Sequence, residues 1–165
     1  MSDKTHTSAE VEAKLWKAIE HHKTGMLGLV GSHQHFQPMT GFAEPETGTI
    51  WFFVSRDNDL MEAADGGGAE VMFTFQSREV YACISGRLRV DTDPGRIDRF
   101  WNASVAAWYP GGKDDPDLAL LRMDAADAAV WLVEGGLVKY LLEVAKANAS
   151  KTTPDVGERR DLNLH

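Results

Sequence analysis

Between Thr24 and Gly86 the chain carries two cationic side chains, Arg56 and Arg78. Arg56 closes the stretch "TIWFFVSR", a run of aromatic and β-branched residues that ends in a hydroxyl and a guanidinium. Arg78 sits in the short link Ser77-Arg78, between the apolar segments "AEVMFTFQ" and "EVYACISGRLRVD". Guanidinium forks match the oxygens of a phosphate. Two arginines brought into one cleft would therefore clamp an anion, whereas each alone on a turn would simply be solvated. The residues by themselves leave both readings open.

Other reactive side chains point to less. His33 and His35 alternate in "HQHFQPMT", which puts them on one side of an expected strand, with His21 and His22 upstream. A metal site needs three or more converging ligands. No acidic residue stands at a characteristic spacing, so no metal is expected. Cys83 is the only cysteine, set in the apolar "VYACIS". It excludes an intrachain disulfide and a thiolate zinc cluster and reads as a buried, inert thiol. No Gly-x-Gly-x-x-Gly opens a helix after a strand, "DGGGAE" lacks the P-loop lysine, and no Gly-x-Ser-x-Gly elbow exists. Trp108 and Tyr109 precede a Pro-Gly-Gly turn. There an aromatic can stack on a planar ligand or plug the end of a barrel.

The elements that would position these residues follow from spacing. Thr7 and Glu10 form a capping box, and Val11, Leu15, Ala18, Ile19 and His22 recur at helical intervals as far as Gly25. Segments 26–31 and 33–40 read as a hairpin whose second arm carries Pro38, an edge residue. Segment 49–55 is a strand covered on both faces. A short helix is expected at 58–64, and two long strands at 69–76 and 79–91. Asp93 and Pro94 start a helix running through "DPGRIDRFWNASVAAWYP". "LALLRMDAA" and "DAAVWLVEG" read as a final strand pair. A closing helix carries Leu137, Tyr140, Leu141 and Val144 on one stripe. Short links between strands favour an antiparallel barrel with peripheral helices over alternating βαβ units. One domain is expected over residues 1–150, with 151–165 a polar mobile tail.

Composition narrows the partners. With 165 residues and 43% hydrophobic content the chain can bury a core. Its formal net charge of -8 argues against nucleic acid and anionic membranes. The polar, acidic N-terminus has no signal-peptide pattern and no apolar run spans a bilayer, so the cytoplasm is the default.

Six segments in order resemble the pyridoxamine 5'-phosphate oxidase-like split barrel family, in its general stress protein branch. "HFQPM" is similar to the family's strand ending Arg-Pro-Met, and "IWFFVS" to its Trp-Phe-Phe-Thr strand. "ISGRLRVD", "IDRFWN", "AWYPGGKDDPD" and "AAVWLV" match the segments that follow, over about residues 10–135. The resemblance implies a split β-barrel homodimer with FMN, or alternatively FAD, in two clefts between the subunits. It implies that the isoalloxazine lies by Gln37, Pro38, Met39, Phe53 and Val54. It places the phosphate near Ser55 and Arg56, with Gln76, Ser77 and Arg78 at the next strand link and Trp108 on the cleft wall. The family commonly has arginine where Gln37 stands and lysine where Leu60 stands, so the phosphate would rely on Arg56 and Arg78. The activity implied is flavin-dependent oxidoreduction of unknown substrate. The alternatives are a non-enzymatic flavin carrier and a cofactor-free dimeric interaction module.

Overall fold

The computed structural model describes residues 5–133, 135–155 and 157–164. The chain opens with α1 (Ser8–His22), in which the Thr7–Glu10 capping box forms as expected and Val11, Leu15, Trp16 and Ile19 are buried. Eight strands follow in one antiparallel sheet: β1 (Thr24–Leu29), β2 (Gln37–Thr40), β3 (Phe42–Glu44), β4 (Thr49–Ser55), β5 (Ala69–Gln76), β6 (Val80–Val90), β7 (Leu118–Val133) and β8 (Gly157–Asn163). Their order is β2-β1-β5-β6-β7-β4-β3, with β8 added on β7. Around them lie α2 (Asp59–Asp65), α3 (Pro94–Phe100), α4 (Ala103–Ala106) and α5 (Gly136–Ser150). The architecture is the mainly-β split barrel with peripheral helices that the sequence suggests. Among the described residues, no helix is long and apolar enough to cross a membrane.

The continuous apolar run in β4 has a simple cause. Ile50, Phe52 and Val54 point into the main core with α1, while Trp51 and Phe53 join a second cluster containing Ile97, Val105 and Tyr109. A strand sandwiched between two apolar layers has no solvent face to fill with polar residues.

Several elements differ from the sequence reading. His33 and His35 lie exposed in the loop between β1 and β2, not on a strand, because pairing of β2 with β1 starts only at Gln37. The long helix expected after Asp93 breaks at Trp101, which is extended; Asn102 then caps α4 by accepting from the Val105 amide at 3.0 Å. An asparagine side chain that replaces a backbone acceptor makes such a restart cheap. The expected final strand pair is one strand, β7. Ser85 pairs with Asp127 and Gly86 with Ala125, so Ala126 is an extra residue that bends β7 without ending it.

The segment 151–165, expected as a mobile tail, carries β8. The same edge of β7 is shared end to end. β4 covers residues 118–124, and β8 covers 127–133. Leu162 and Leu164 are buried, and the Leu164 amide donates to the bulge carbonyl of Ala126 at 2.9 Å. The polarity of the segment misled because β8 alternates: Arg159 and Asp161 face out, while Glu158 and Arg160 share the face of Leu162, half-buried and hydrogen-bonded to each other and to His6.

The second cluster is fastened by a buried carboxylate. Glu44, 1% exposed, accepts from Arg96 Nε at 2.9 Å and Nη2 at 2.7 Å, from Thr47 Oγ1 at 2.9 Å and from Trp51 Nε1 at 3.2 Å. The Arg96 hydrogen bond is the main cause of a carboxyl pKa lowered to about 2, against the opposing effect of burial. This network holds α3 to β3 and β4.

Candidate functional site

The expected site residues other than Met39, which packs against the main core, and Trp108 fall into three places. The first is the end of β4. Ser55 is exposed there, and the Arg56 amide donates to the Asp117 carbonyl at 2.9 Å. Arg56 Nε donates to the Pro116 carbonyl at 2.8 Å. This leaves the outer guanidinium nitrogens without a hydrogen bond among the described residues. A fork steadied at its inner nitrogen and open at its tips suits an anionic oxygen. Tyr109 lies against Ser55; burial pushes its phenol pKa up, partly offset by the Ser55 hydroxyl. Asn58 caps α2 and donates to Gln37 Oε1 at 3.2 Å, bringing the first residue of β2 to this end. Phe53 packs edge-on against Phe42 and Trp101, and the Val54 side chain is enclosed in the main core. Leu60, where the family's lysine was expected, is 1% exposed and faces the core. That position cannot present a cation to a ligand.

The second place is a groove of about 720 Å³ that runs across the sheet. Pro38 on β2 and Gln76 on β5 line it with Met26, Phe75, Tyr81 and Trp131. Gln76 pairs with Tyr81, and Tyr81 with Trp131, so three side chains stand in a row across β5, β6 and β7. Arg159 on β8 continues the row, its guanidinium 5.3 Å from the Trp131 ring centre. Tyr81 and Trp131 are each 40% exposed. Sequence reading missed both. The available signal was their place in strands: each is a bulky aromatic between inward-facing small or aliphatic residues, hence outward-facing.

The third place holds Ser77 and Arg78. Ser77 closes the β5–β6 link, its amide donating to the Val80 carbonyl at 2.8 Å. Arg78 opens into a separate cleft beside α1. Ser55 pairs with Leu118 and Val80 with Leu132, which sets the two arginines at opposite ends of β7. The clamp that would need them side by side does not form within one chain, because β6 and β7 stand between β5 and β4. Trp108, 81% exposed, follows the end of α4 and lines neither the groove nor the cleft beside α1. Cys83 is half-buried beside Met72, and burial pushes its thiol pKa up, as for an inert thiol.

Comparison with known proteins gives a consistent picture. The family model described as pyridoxamine 5'-phosphate oxidase like matches residues 10–155. General stress protein 26 of Bacillus subtilis is 23% identical over 123 residues, 72% of this chain and 86% of that protein. The structure of a general stress protein 26 from Jannaschia sp. CCS1 superposes with a TM-score of 0.81 at 31% identity, covering 95% of this chain and 99% of that one. A Xanthomonas citri protein described as a general stress FMN/FAD binding protein superposes with a TM-score of 0.72 at 50% identity, covering 78% and 93%.

Proposed function

This chain belongs to the pyridoxamine 5'-phosphate oxidase like family, general stress protein branch, and on that premise we propose that it binds FMN in clefts formed by a homodimer. The observation that carries the reading is the groove that joins Pro38 and Gln76 to the outward aromatics Tyr81 and Trp131. Its walls are mostly apolar and its volume of about 720 Å³ lies in the range of small-molecule sites. The 50%-identical Xanthomonas citri protein, described as FMN/FAD binding, supports the same ligand class.

The residues present fit the group. Pro38 and Met39 supply an apolar strand for the ring system, Gln37 and Gln76 supply amides for its polar edge, and Ser55 with the open tips of Arg56 suits its phosphate. In one chain the β4 end and the groove meet at β2, through Gln37 and Pro38, and a second copy supplies the wall that each lacks. The exposed Val138, Tyr140, Leu141 and Leu142 on α5 provide an apolar face for that association. The side chain of Leu137, expected on the same stripe, lies outside the described residues.

Bound flavin supplies hydride and one-electron chemistry; the chain's part is to bind and orient it. Among the described residues, the groove lining contains no carboxylate, imidazole or cation, and Tyr81 is its one titratable side chain. This favours a second reading, a flavin carrier without turnover of its own. Titration with FMN, beside a mass measurement in solution, tests the binding. A dimer that takes up one flavin per chain is expected; colourless protein that ignores added FMN refutes it. Reduction of the bound flavin by NAD(P)H then separates the oxidoreductase from the carrier.

A further inference from the structure

We propose that the cleft between α1 and the β5–β6 link is a second anion site, separate from the groove, which takes a small molecule bearing a diphosphate. The cleft encloses about 600 Å³ and is lined by Lys14, Lys17, His21 and His22 from α1 and by Ser77 and Arg78 from the link. Among the described residues, Glu79 is the one carboxylate in its lining, against the three cations Lys14, Lys17 and Arg78. In a chain of formal net charge -8 this is a local inversion of sign.

Arg78 behaves unlike the other eight arginines. Arg56 and Arg87 donate to backbone carbonyls, and Arg89, Arg96, Arg99, Arg122, Arg159 and Arg160 are paired with carboxylates. Among the described residues, the side chains of Arg78, Lys14 and Lys17 have neither a hydrogen bond nor an ion pair. Lys14, Lys17 and His21 follow one another three and four residues apart, so they share one helix face. The like charges of Lys14 and Lys17 at that spacing destabilise a helix. The helix dipole accounts for His21 and His22 in the last turn. It accounts neither for Lys14 nor for Arg78, which arrives from a different element and faces the same space. An anion would relieve both. A diphosphate carries charge enough for three cations, and the Arg78 fork and Ser77 hydroxyl give its oxygens directional donors. His6 also lines the cleft but is engaged with Glu158, so the site is built without it.

Calorimetric titration at low salt, with inorganic pyrophosphate and with ADP as a nucleoside diphosphate probe, decides the matter. Saturable binding is expected, weakened about tenfold or more in Lys14→Gln/Lys17→Gln and in Arg78→Gln, and retained in the charge-preserving Lys14→Arg/Lys17→Arg. Tighter binding of ADP than of pyrophosphate identifies a nucleotide ligand; equal affinities identify the diphosphate alone. FMN titration of Lys14→Gln/Lys17→Gln is expected to match that of the unmodified protein, which keeps this site apart from the flavin reading. Absence of saturable pyrophosphate and ADP binding, or binding indifferent to the glutamine substitutions, overturns the proposal whether or not the protein takes up flavin.

Discussion

Asn58 donates its carboxamide to Gln37 at 3.2 Å, tying the start of β2 to the turn that follows β4. β2 ends one side of the sheet, and β4 stands next to last on the other. The bond therefore crosses the mouth of the barrel and sets the two family-like segments "FQPM" and "FFVSR" beside one another. It also places the uncharged Gln37 side chain beside the turn that carries Arg56.

That arrangement makes Gln37→Arg informative. If the FMN phosphate lies at the β4 end, the added cation is expected to tighten FMN binding about tenfold, the worth of one charge-assisted hydrogen bond of about 1.5 kcal/mol. Titration by flavin fluorescence measures it. Unchanged or weaker affinity would move the phosphate elsewhere.

Trp131 forms the exposed end of the groove's aromatic row. Trp131→Ala is expected to weaken FMN binding several-fold, in line with about 0.5–1.5 kcal/mol for an aromatic contact. Trp131→Phe should restore most of it. Because Arg159 rests on the same ring, melting temperature should be measured alongside to separate ligand contact from sheet stability.

Glu44 ties acid stability to α3. Its carboxyl is lowered from 4.5 to about 2, chiefly by the Arg96 hydrogen bond. A folded pKa below the unfolded one adds stability that is present above about pH 4.5 and is lost as the pH falls through about 2. The arginines are half-exposed, so the contribution is about 1–3 kcal/mol. Glu44→Gln should lower the melting temperature at neutral pH, and the difference from the unmodified protein should shrink on acidification across that window. A difference that is constant with pH would assign the effect to packing alone.

Leu162 anchors β8. Leu162→Ala removes a side chain that is 5% exposed and is expected to cost about 2 kcal/mol, the low end for a buried leucine. Deleting residues 157–165 should cost more, since it also frees the edge of β7. Chemical denaturation reads both. A truncated protein as stable as the full chain would show that β8 is dispensable.

The parts of this fold that were legible in the sequence are those where one local rule decides. The Thr7–Glu10 box, the Asp93-Pro94 start and the apolar run of β4 each declare their element within a few residues. The parts that were not legible depend on a distant partner. The β7 bulge at Ala126 leaves no turn residue to mark it, and β8 looks like a tail until the vacant half of the β7 edge is known. The site divides the same way. Ser55 and Arg56 at a strand end could be read locally. The row Gln76, Tyr81 and Trp131 exists only through cross-strand register. The separation of Arg56 from Arg78 exists only through strand order.

The shared edge of β7 also bears on how the protein is made. The half beside β4 is paired as soon as β7 is synthesised, whereas the half from Asp127 to Val133 waits for residues 157–163. Arg160 and Glu158 on β8 then bind His6, so the residues just before α1 are fastened by β8. During synthesis the chain therefore presents an open strand edge until residues 157–163 emerge, the interval in which a mistaken pairing with a neighbouring nascent chain has its opportunity.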